Sequence, residues 1–140
     1  MRVLYSKFCE YACQLLNGRH SMIGIFDNIR APGFPIDHPP FFICVEVEFD
    51  PGETDTTRAF AFALIDEDGK DVLRFEGPPA QVPKDPSFGP QKIHMTVGIG
   101  GARFEKAGTY RLDILCDGES VGEERLPVIK VDLPPGTQQA

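Results

Sequence analysis

The sequence predicts an all-β protein, a two-layer sandwich of about eight strands, and three observations carry this prediction. Apolar and polar residues alternate through segments such as 41–49, 92–99 and 110–117, which is typical of strands with one buried face. Asn-Gly or Asp-Gly pairs separate such runs and suit type I′ hairpin turns, because these residues tolerate positive φ. The chain has no long amphipathic helix pattern, which disfavours folds that alternate strands with helices.

Eight segments of the chain carry the strand pattern. They are 2–9, 21–30, 41–49, 58–65, 71–75, 92–99, 110–117 and 121–131. Hairpin turns are predicted at Asn17-Gly18, Asp68-Gly69 and Asp117-Gly118. Residues 9–16 (CEYACQLL) suit either a strand or a short helical turn, and the order of the strands in the N-terminal half stays open.

The length of 140 residues fits a single domain, which we assign to residues 1–132. Two proline-rich loops, 31–40 and 77–91, are expected to cross between sheets or to cap their ends, since proline cannot donate to a strand ladder. Residues 133–140 (LPPGTQQA) are expected to form a disordered tail.

The charge balance argues against several classes of partner. The formal net charge is −7, and the basic residues are scattered singly, so nucleic acid and anionic membranes are not expected partners. No apolar stretch approaches the ~20 residues of a membrane span. Lys7 and Glu10 interrupt the apolar N-terminal segment, which therefore differs from a signal peptide. We expect a cytoplasmic protein whose four cysteines are reduced.

The passage FEKAGTYRLDIL, residues 104–115, resembles the tyrosine corner of immunoglobulin-like sandwiches. In this reading Phe104 caps the core, Gly108 takes a tight bend, and the Tyr110 hydroxyl bonds to backbone upstream. The resemblance implies an immunoglobulin-like Greek-key β-sandwich. It departs from antibody domains because position 112 is leucine where the second cysteine would fall, and because the chain has no tryptophan.

A second resemblance covers most of the chain. The stretches RVLYSKFCEYA, NGRHSMIGIFDNI and AP-x-FP-x-x-HPPFF are similar to an uncharacterised family of short bacterial cytosolic proteins, a domain of unknown function. The resemblance implies a bacterial cytosolic β-sandwich. It supplies no activity, and no catalytic residue can be carried over from it.

Two groups of residues could suggest a metal site, but a purely structural role is better supported for each. Cys9, Cys13 and His20 provide one CxxxC and a lone histidine, whereas structural zinc sites use four ligands, so packing of the cysteines in the core is favoured. Residues 66–71 (DEDGKD) superficially match a calcium loop, but that alignment places Leu64 first and Phe75 twelfth, where oxygen ligands are needed. We expect no bound metal and no cofactor.

No nucleophile-base set and no cofactor fingerprint occurs, so we expect a protein that is not an enzyme. The favoured function is a non-catalytic interaction or assembly module that uses Phe34, Asp37 and His38 for partner contact. The alternative is a small-ligand or metal-binding protein that uses His38 and Asp37 with His20 or Cys9. His94 alternates to the wet face of its strand and is interpreted as an ordinary surface residue.

The segment 59–65 (AFAFALI) is apolar on both faces, although a two-layer sandwich normally leaves one face of each strand in water. The face that carries Ala59, Ala61 and Ala63 therefore needs a cover. Either the loop 77–91 or a second copy of the chain could provide it, and a homodimer through this strand is one hypothesis.

Overall fold

The computed structural model describes residues 1–17, 19–77, 79–84 and 91–132, which form an all-β protein, as predicted. These residues contain no α-helix and one 3-10 helix, Pro51–Glu53. The strands are β1 (Arg2–Gln14), β2 (His20–Phe26), β3 (Ile29–Ala31), β4 (Ile36–His38), β5 (Phe41–Phe49), β6 (Thr57–Arg58), β7 (Phe60–Ile65), β8 (Asp71–Glu76), β9 (Ala80–Gln81), β10 (Gln91–Ile99), β11 (Ala102–Phe104), β12 (Gly108–Cys116) and β13 (Glu119–Lys130). The expected tail, 133–140, lies outside the described residues.

The strands form two larger sheets and two short pairs. The first sheet has the order β10-β5-β1-β2 and is antiparallel throughout. The second has the order β3-β13-β12-β7-β8, in which β3 runs parallel to β13. The short pairs are β4 with β11 and β6 with β9. The order of the N-terminal strands is thereby settled, and residues 9–14 belong to a strand.

The number of strands and the boundary of one strand differ from the prediction. The described residues form thirteen strands rather than about eight, and five of these are only two or three residues long. The predicted strand 21–30 is divided, because β2 ends at Phe26 and Asp27 and Asn28 carry the chain to β3 in the other sheet. The segment predicted as one strand thus crosses from one sheet to the other at Asp27 and Asn28.

One hydrophobic core takes side chains from both larger sheets. The inward residues of β5 are the alternating set predicted from the sequence: Phe41, Ile43, Val45, Val47 and Phe49. The second sheet contributes Phe60, Phe62, Leu64, Leu112, Ile114, Leu126 and Val128. All of these side chains are almost completely buried, so the two sheets share one apolar interior.

Two predicted hairpin turns have different geometries. Asp117 and Gly118 have φ of 51° and 86° between the paired Cys116 and Glu119, which is the predicted type I′ arrangement. At Asp68-Gly69 only the glycine has positive φ, so the turn is not type I′. The reason is Asp66, whose carboxylate accepts from the backbone N–H groups of Asp68 and Lys70 at 2.9 Å each and fixes a longer turn. Gly18 lies outside the described residues.

The predicted hydrogen bond of the tyrosine corner is present. The Tyr110 hydroxyl donates to the backbone carbonyl of Lys106 at 2.7 Å, and the ring packs edge-on against Phe104. Gly108 is the first residue of β12 and its φ is not positive, and its place in a tight bend stays a prediction. A Cβ at position 108 would lie 3.0 Å from the carboxyl carbon of Glu67, whose oxygen accepts from the Thr109 N–H. Gly108 therefore leaves room for that carboxylate.

The chain itself covers the alanine face of the segment 59–65 to different extents along its length. Ala63 is fully buried, Ala61 is half-buried and Ala59 is exposed. The strand register places Ala63 between Arg74 of β8 and Asp113 of β12, which are long or charged side chains on the same face. The homodimer through this face stays a prediction, and the surrounding charges give it no support.

Candidate functional site

His38, the histidine expected to contact a partner, faces the interior. Its side chain is only 9% exposed, and its ring packs edge-on against Phe41 and also contacts Phe26. Nδ1 donates to the Pro39 carbonyl at 2.8 Å. Burial lowers the pKa of His38, the Pro39 hydrogen bond acting in the opposite direction. These contacts describe a neutral histidine that belongs to the packing of the fold.

Phe34 and Asp37 differ from His38 in exposure and in their partners. Phe34 is half-buried against the core, whereas Asp37 is exposed and pairs with Arg103 at 3.3 Å. Asp37 and His38 are consecutive in β4, so their side chains point to opposite faces. The structure thus places Asp37 and His38 on opposite faces, and partner binding through Phe34, Asp37 and His38 stays a prediction.

A different feature dominates the surface, a bend in the β1–β2 hairpin. Pairing between these strands is interrupted at Glu10 and Gly24 and resumes in the same register beyond them. Gly24 has φ +69°, and a Cβ there would lie 2.9 Å from the carboxyl carbon of Glu10. We call the described residues beyond this bend, 11–17 and 19–23, the hairpin arm.

The hairpin arm lies across the outer face of the first sheet. His20 belongs to β2, yet its ring stacks on His94 of β10 with centroids 3.9 Å apart, and its Nδ1 lies 3.3 Å from Thr96 Oγ1. In a flat sheet of order β10-β5-β1-β2, strands β2 and β10 would be roughly 14 Å apart, since neighbouring strands are spaced about 4.8 Å. The arm must therefore fold over the sheet to bring these rings together.

A small apolar cluster attaches the arm to the sheet. Cys9, Ala12 and Cys44 are buried together, and Met22 and Phe42 pack against them. Burial, with Cys44 as the next cause, raises the pKa of Cys9 to about 12. All four cysteines are free, and Cys9 and Cys44 contribute packing in the way predicted for Cys9.

A polar row adjoins this cluster. His94 Nε2 lies 2.7 Å from both the Glu46 carboxylate and the Tyr5 hydroxyl, and the three side chains come from adjacent strands β10, β5 and β1. Burial, followed by the charge of Glu46, raises the pKa of Tyr5. His94 was predicted to be an ordinary surface residue, but these contacts make it part of a network. Only the strand order could have revealed the row, because its members are distant in sequence.

Neither this row nor the cysteines form a metal site. Across the described ranges, no group of three or more His, Cys, Asp or Glu side chains is arranged to hold an ion. His20 faces His94 rather than a thiol, and Cys9 is buried beneath the arm. The Tyr5, Glu46 and His94 side chains contact one another, and the row meets the arm through the stack of His20 on His94.

A charged cleft of about 480 Å³ lies beside the tyrosine corner. Its lining includes Asp68, Lys106 and Arg103. Lys106 binds Asp68 at 2.8 Å, and Arg103 binds Glu105 at 3.0 Å. Lys106 and Arg103 are thus neutralised by the chain's own carboxylates, and exposed pairs of this kind contribute little to binding or stability.

The hairpin arm and its base carry an exposed apolar patch, which we define as Tyr11, Leu15, Leu16, Ile23 and Ile25. Six large apolar side chains are strongly exposed in the described part of the chain, and five of them belong to this patch. Ile23 and Ile25 are 57% and 56% exposed. Such a concentration is unlike single exposed residues, which are normal on protein surfaces.

Acidification should weaken the attachment of the arm. Burial, and next the neighbouring His94, lower the pKa of His20 from its ordinary value of 6.5, while Glu46 acts in the opposite direction. The folded protein then binds this proton less readily than the unfolded chain. Neutral His20 therefore contributes its full stability above about pH 6.5, and this contribution is lost as the pH falls through the lowered pKa.

The free energy of unfolding can be measured by denaturant titration. Because the pKa of His20 is lowered in the folded protein, this free energy should decrease as the pH is lowered from about 8 to 5.5. His20→Phe retains a ring against His94 but does not titrate, so its pH dependence should be shallower. Part of the dependence should remain, because burial also lowers the pKa of His38. Identical pH profiles for the variant and the natural protein would contradict the prediction.

The structure thus defines a class: an all-β protein in which a bent hairpin presents an apolar patch on the outer face of one sheet. Residues 4–129 match the family described as "Family of unknown function (DUF6941)", and the chain belongs to that family, as its sequence resemblance predicted. No curated protein and no solved structure matches the chain. In the described residues, no helix is long and apolar enough to cross a membrane.

Proposed function

We propose that this protein is a non-catalytic interaction or assembly module, and that the apolar patch on its hairpin arm is the surface that binds a protein partner. The observation that carries the proposal is the concentration of exposed apolar side chains on one bent hairpin. Exposed apolar patches of this kind commonly mark protein-protein contact sites.

The attachment of the arm supports the same function. The Cys9–Ala12–Cys44 cluster and the His20–His94 stack hold the arm against the sheet. A surface held in one conformation loses less conformational entropy when a partner binds, and more of the contact energy then appears as affinity. The net charge of −7 favours a protein partner over nucleic acid.

We further propose a fold type and a cellular location for this protein. An immunoglobulin-like Greek-key sandwich is supported by the core that both sheets share and by the Tyr110 hydrogen bond. A cytoplasmic location in a bacterial cell is supported by the family resemblance and by four free thiols, since reducing compartments preserve thiols.

Site-specific photo-crosslinking in cells that produce the protein tests the proposal. A photoreactive amino acid at Ile25, within the patch, should give discrete protein adducts on illumination. Ile129 is the matched control, because it is also an exposed isoleucine in a strand but lies in the other sheet. Adducts of equal intensity from both positions, or none from Ile25, would contradict an interaction through the arm.

A further inference from the structure

We infer that the partner bound at the hairpin arm is a second copy of this chain, joined by antiparallel pairing of the two β2 strands about Gly24. This inference rests on the proposed function and specifies its partner. Three independent features of β2 lead to it: an edge without charges, a symmetric apolar pattern, and charges of opposite sign at the two ends.

Strand β2 is an unprotected sheet edge. It is the last strand of its sheet, and no strand pairs with its outer side among the described residues. Edge strands usually carry charged residues or proline, which prevent pairing with other chains. The outer strands β10, β3 and β8 each contain Lys, Arg, Asp or Glu, whereas β2 (HSMIGIF) contains none of these and no proline. Among the four edge strands of the two larger sheets, β2 is the one without charge or proline, which indicates that another strand covers it.

The residues of β2 are self-complementary about Gly24. They read Met-Ile-Gly-Ile-Phe from Met22 to Phe26. Antiparallel pairing about a twofold axis at Gly24 sets Ile23 of one copy opposite Ile25 of the other. The same axis sets Ile25 of the first copy opposite Ile23 of the second. Two exposed isoleucines per chain thereby pack against each other, and Gly24, which is bent at φ +69° and packs against Glu10, adds no side chain of its own on the axis.

The charges that flank β2 agree with this register. Arg19 precedes the strand and Asp27 follows it, and both are exposed. In the proposed pairing Asp27 lies opposite Ser21 of the other copy and diagonal to its Arg19, on the same face of the sheet as the isoleucines. Diagonal neighbours are about 7–8 Å apart, within reach of an arginine side chain. Opposite charges thus meet at both ends of the paired strands, despite a net charge of −7 on each chain.

Sedimentation equilibrium of the full chain with a pair of charge variants tests both partner and register. The natural protein should be a dimer at micromolar concentration. Ile23→Lys and Ile25→Glu should each weaken dimerisation by at least about 30-fold, because each places two unpaired charges in the interface. Mixing the two variants should restore a dimer, since Lys at 23 then faces Glu at 25 of the other copy. Ile129→Lys should leave the dimer unchanged.

Hydrogen exchange of the natural protein provides a second measurement that does not depend on variants. The amides of β2 should become more protected as the protein concentration rises, and those of β8, the edge of the other sheet, should not. A natural protein that stays monomeric, or a mixture that fails to reassociate while both variants remain folded, would overturn the inference. Adducts from Ile25 with other proteins alone would reject self-pairing and still support an interaction module.

Discussion

Replacing Phe62 with alanine should lower the free energy of unfolding by about 3–5 kcal/mol, the range typical of a fully buried phenylalanine. Phe62 is fully buried in the core that both sheets share. It pairs with Ile114 of β12, and its ring stacks on Phe75 of β8 with centroids 5.3 Å apart. Alanine removes this apolar area and leaves a cavity between rigid neighbours, which can close only in part.

Urea unfolding followed by far-ultraviolet circular dichroism measures the loss, since the chain has no tryptophan. Phe75→Ala is a matched control: the ring that it removes is only half-buried, so a smaller loss is expected. Because the sheets share one core, the natural protein should unfold in a single transition. A loss for Phe62→Ala no greater than for Phe75→Ala would show that the described core does not stabilise the fold.

The strands were largely predictable because their signal is local. Phe41–Phe49 has the boundaries expected from alternation alone, and the Asp117-Gly118 turn has the expected geometry. Each depends on residues next to one another in the sequence: the pleat requires alternating burial, and the turn requires two residues that tolerate positive φ. Packing between sheets then reinforces choices that the local sequence already favours.

The hairpin arm was not predictable, because its surface depends on contacts that are distant in sequence. The pattern of residues 9–16 was ambiguous because Cys9 and Ala12 are buried between the arm and the sheet while Tyr11 and Leu15 are exposed. Which side of the arm is covered depends on the contact of His20 with Thr96, 76 residues away. The alternation of apolar and polar residues within a segment does not predict that the strand folds over its own sheet.

His38 was predicted as a contact residue from a local pattern, and the fold adds a constraint on its side chain that this pattern does not contain. An Asp-His pair held by prolines resembles a ligand site when only neighbours in sequence are considered. In β4, however, alternation sends Asp37 to the solvent and His38 to the interior beside Phe41. The strand was missed because only three residues pair with β11, too few to give a recognisable period.

Replacing Gly24 with valine should release the hairpin arm and lower the free energy of unfolding by about 1–3 kcal/mol, the cost of a left-handed backbone at a residue with a branched side chain. The φ of +69° is what bends the hairpin, and a Cβ would also lie 2.9 Å from the Glu10 carboxyl carbon. Glu10 can move aside at little cost, so the backbone term should dominate. Gly33→Val is the matched control, because nothing lies within 4 Å of its Cβ and its φ is not positive.

Thiol labelling with a water-soluble disulfide reagent reports release of the arm directly. Cys9 and Cys44 are buried beneath the arm, and burial raises the pKa of Cys9, so both thiols should react slowly in the natural protein. In the Gly24→Val variant both should react quickly, while Cys116, buried in the other sheet, should stay protected. Faster reaction of all three cysteines would indicate general unfolding instead. Unchanged reaction of Cys9 and Cys44 would mean that the buried cluster holds the arm without the glycine bend, and the patch would then be presented by packing alone.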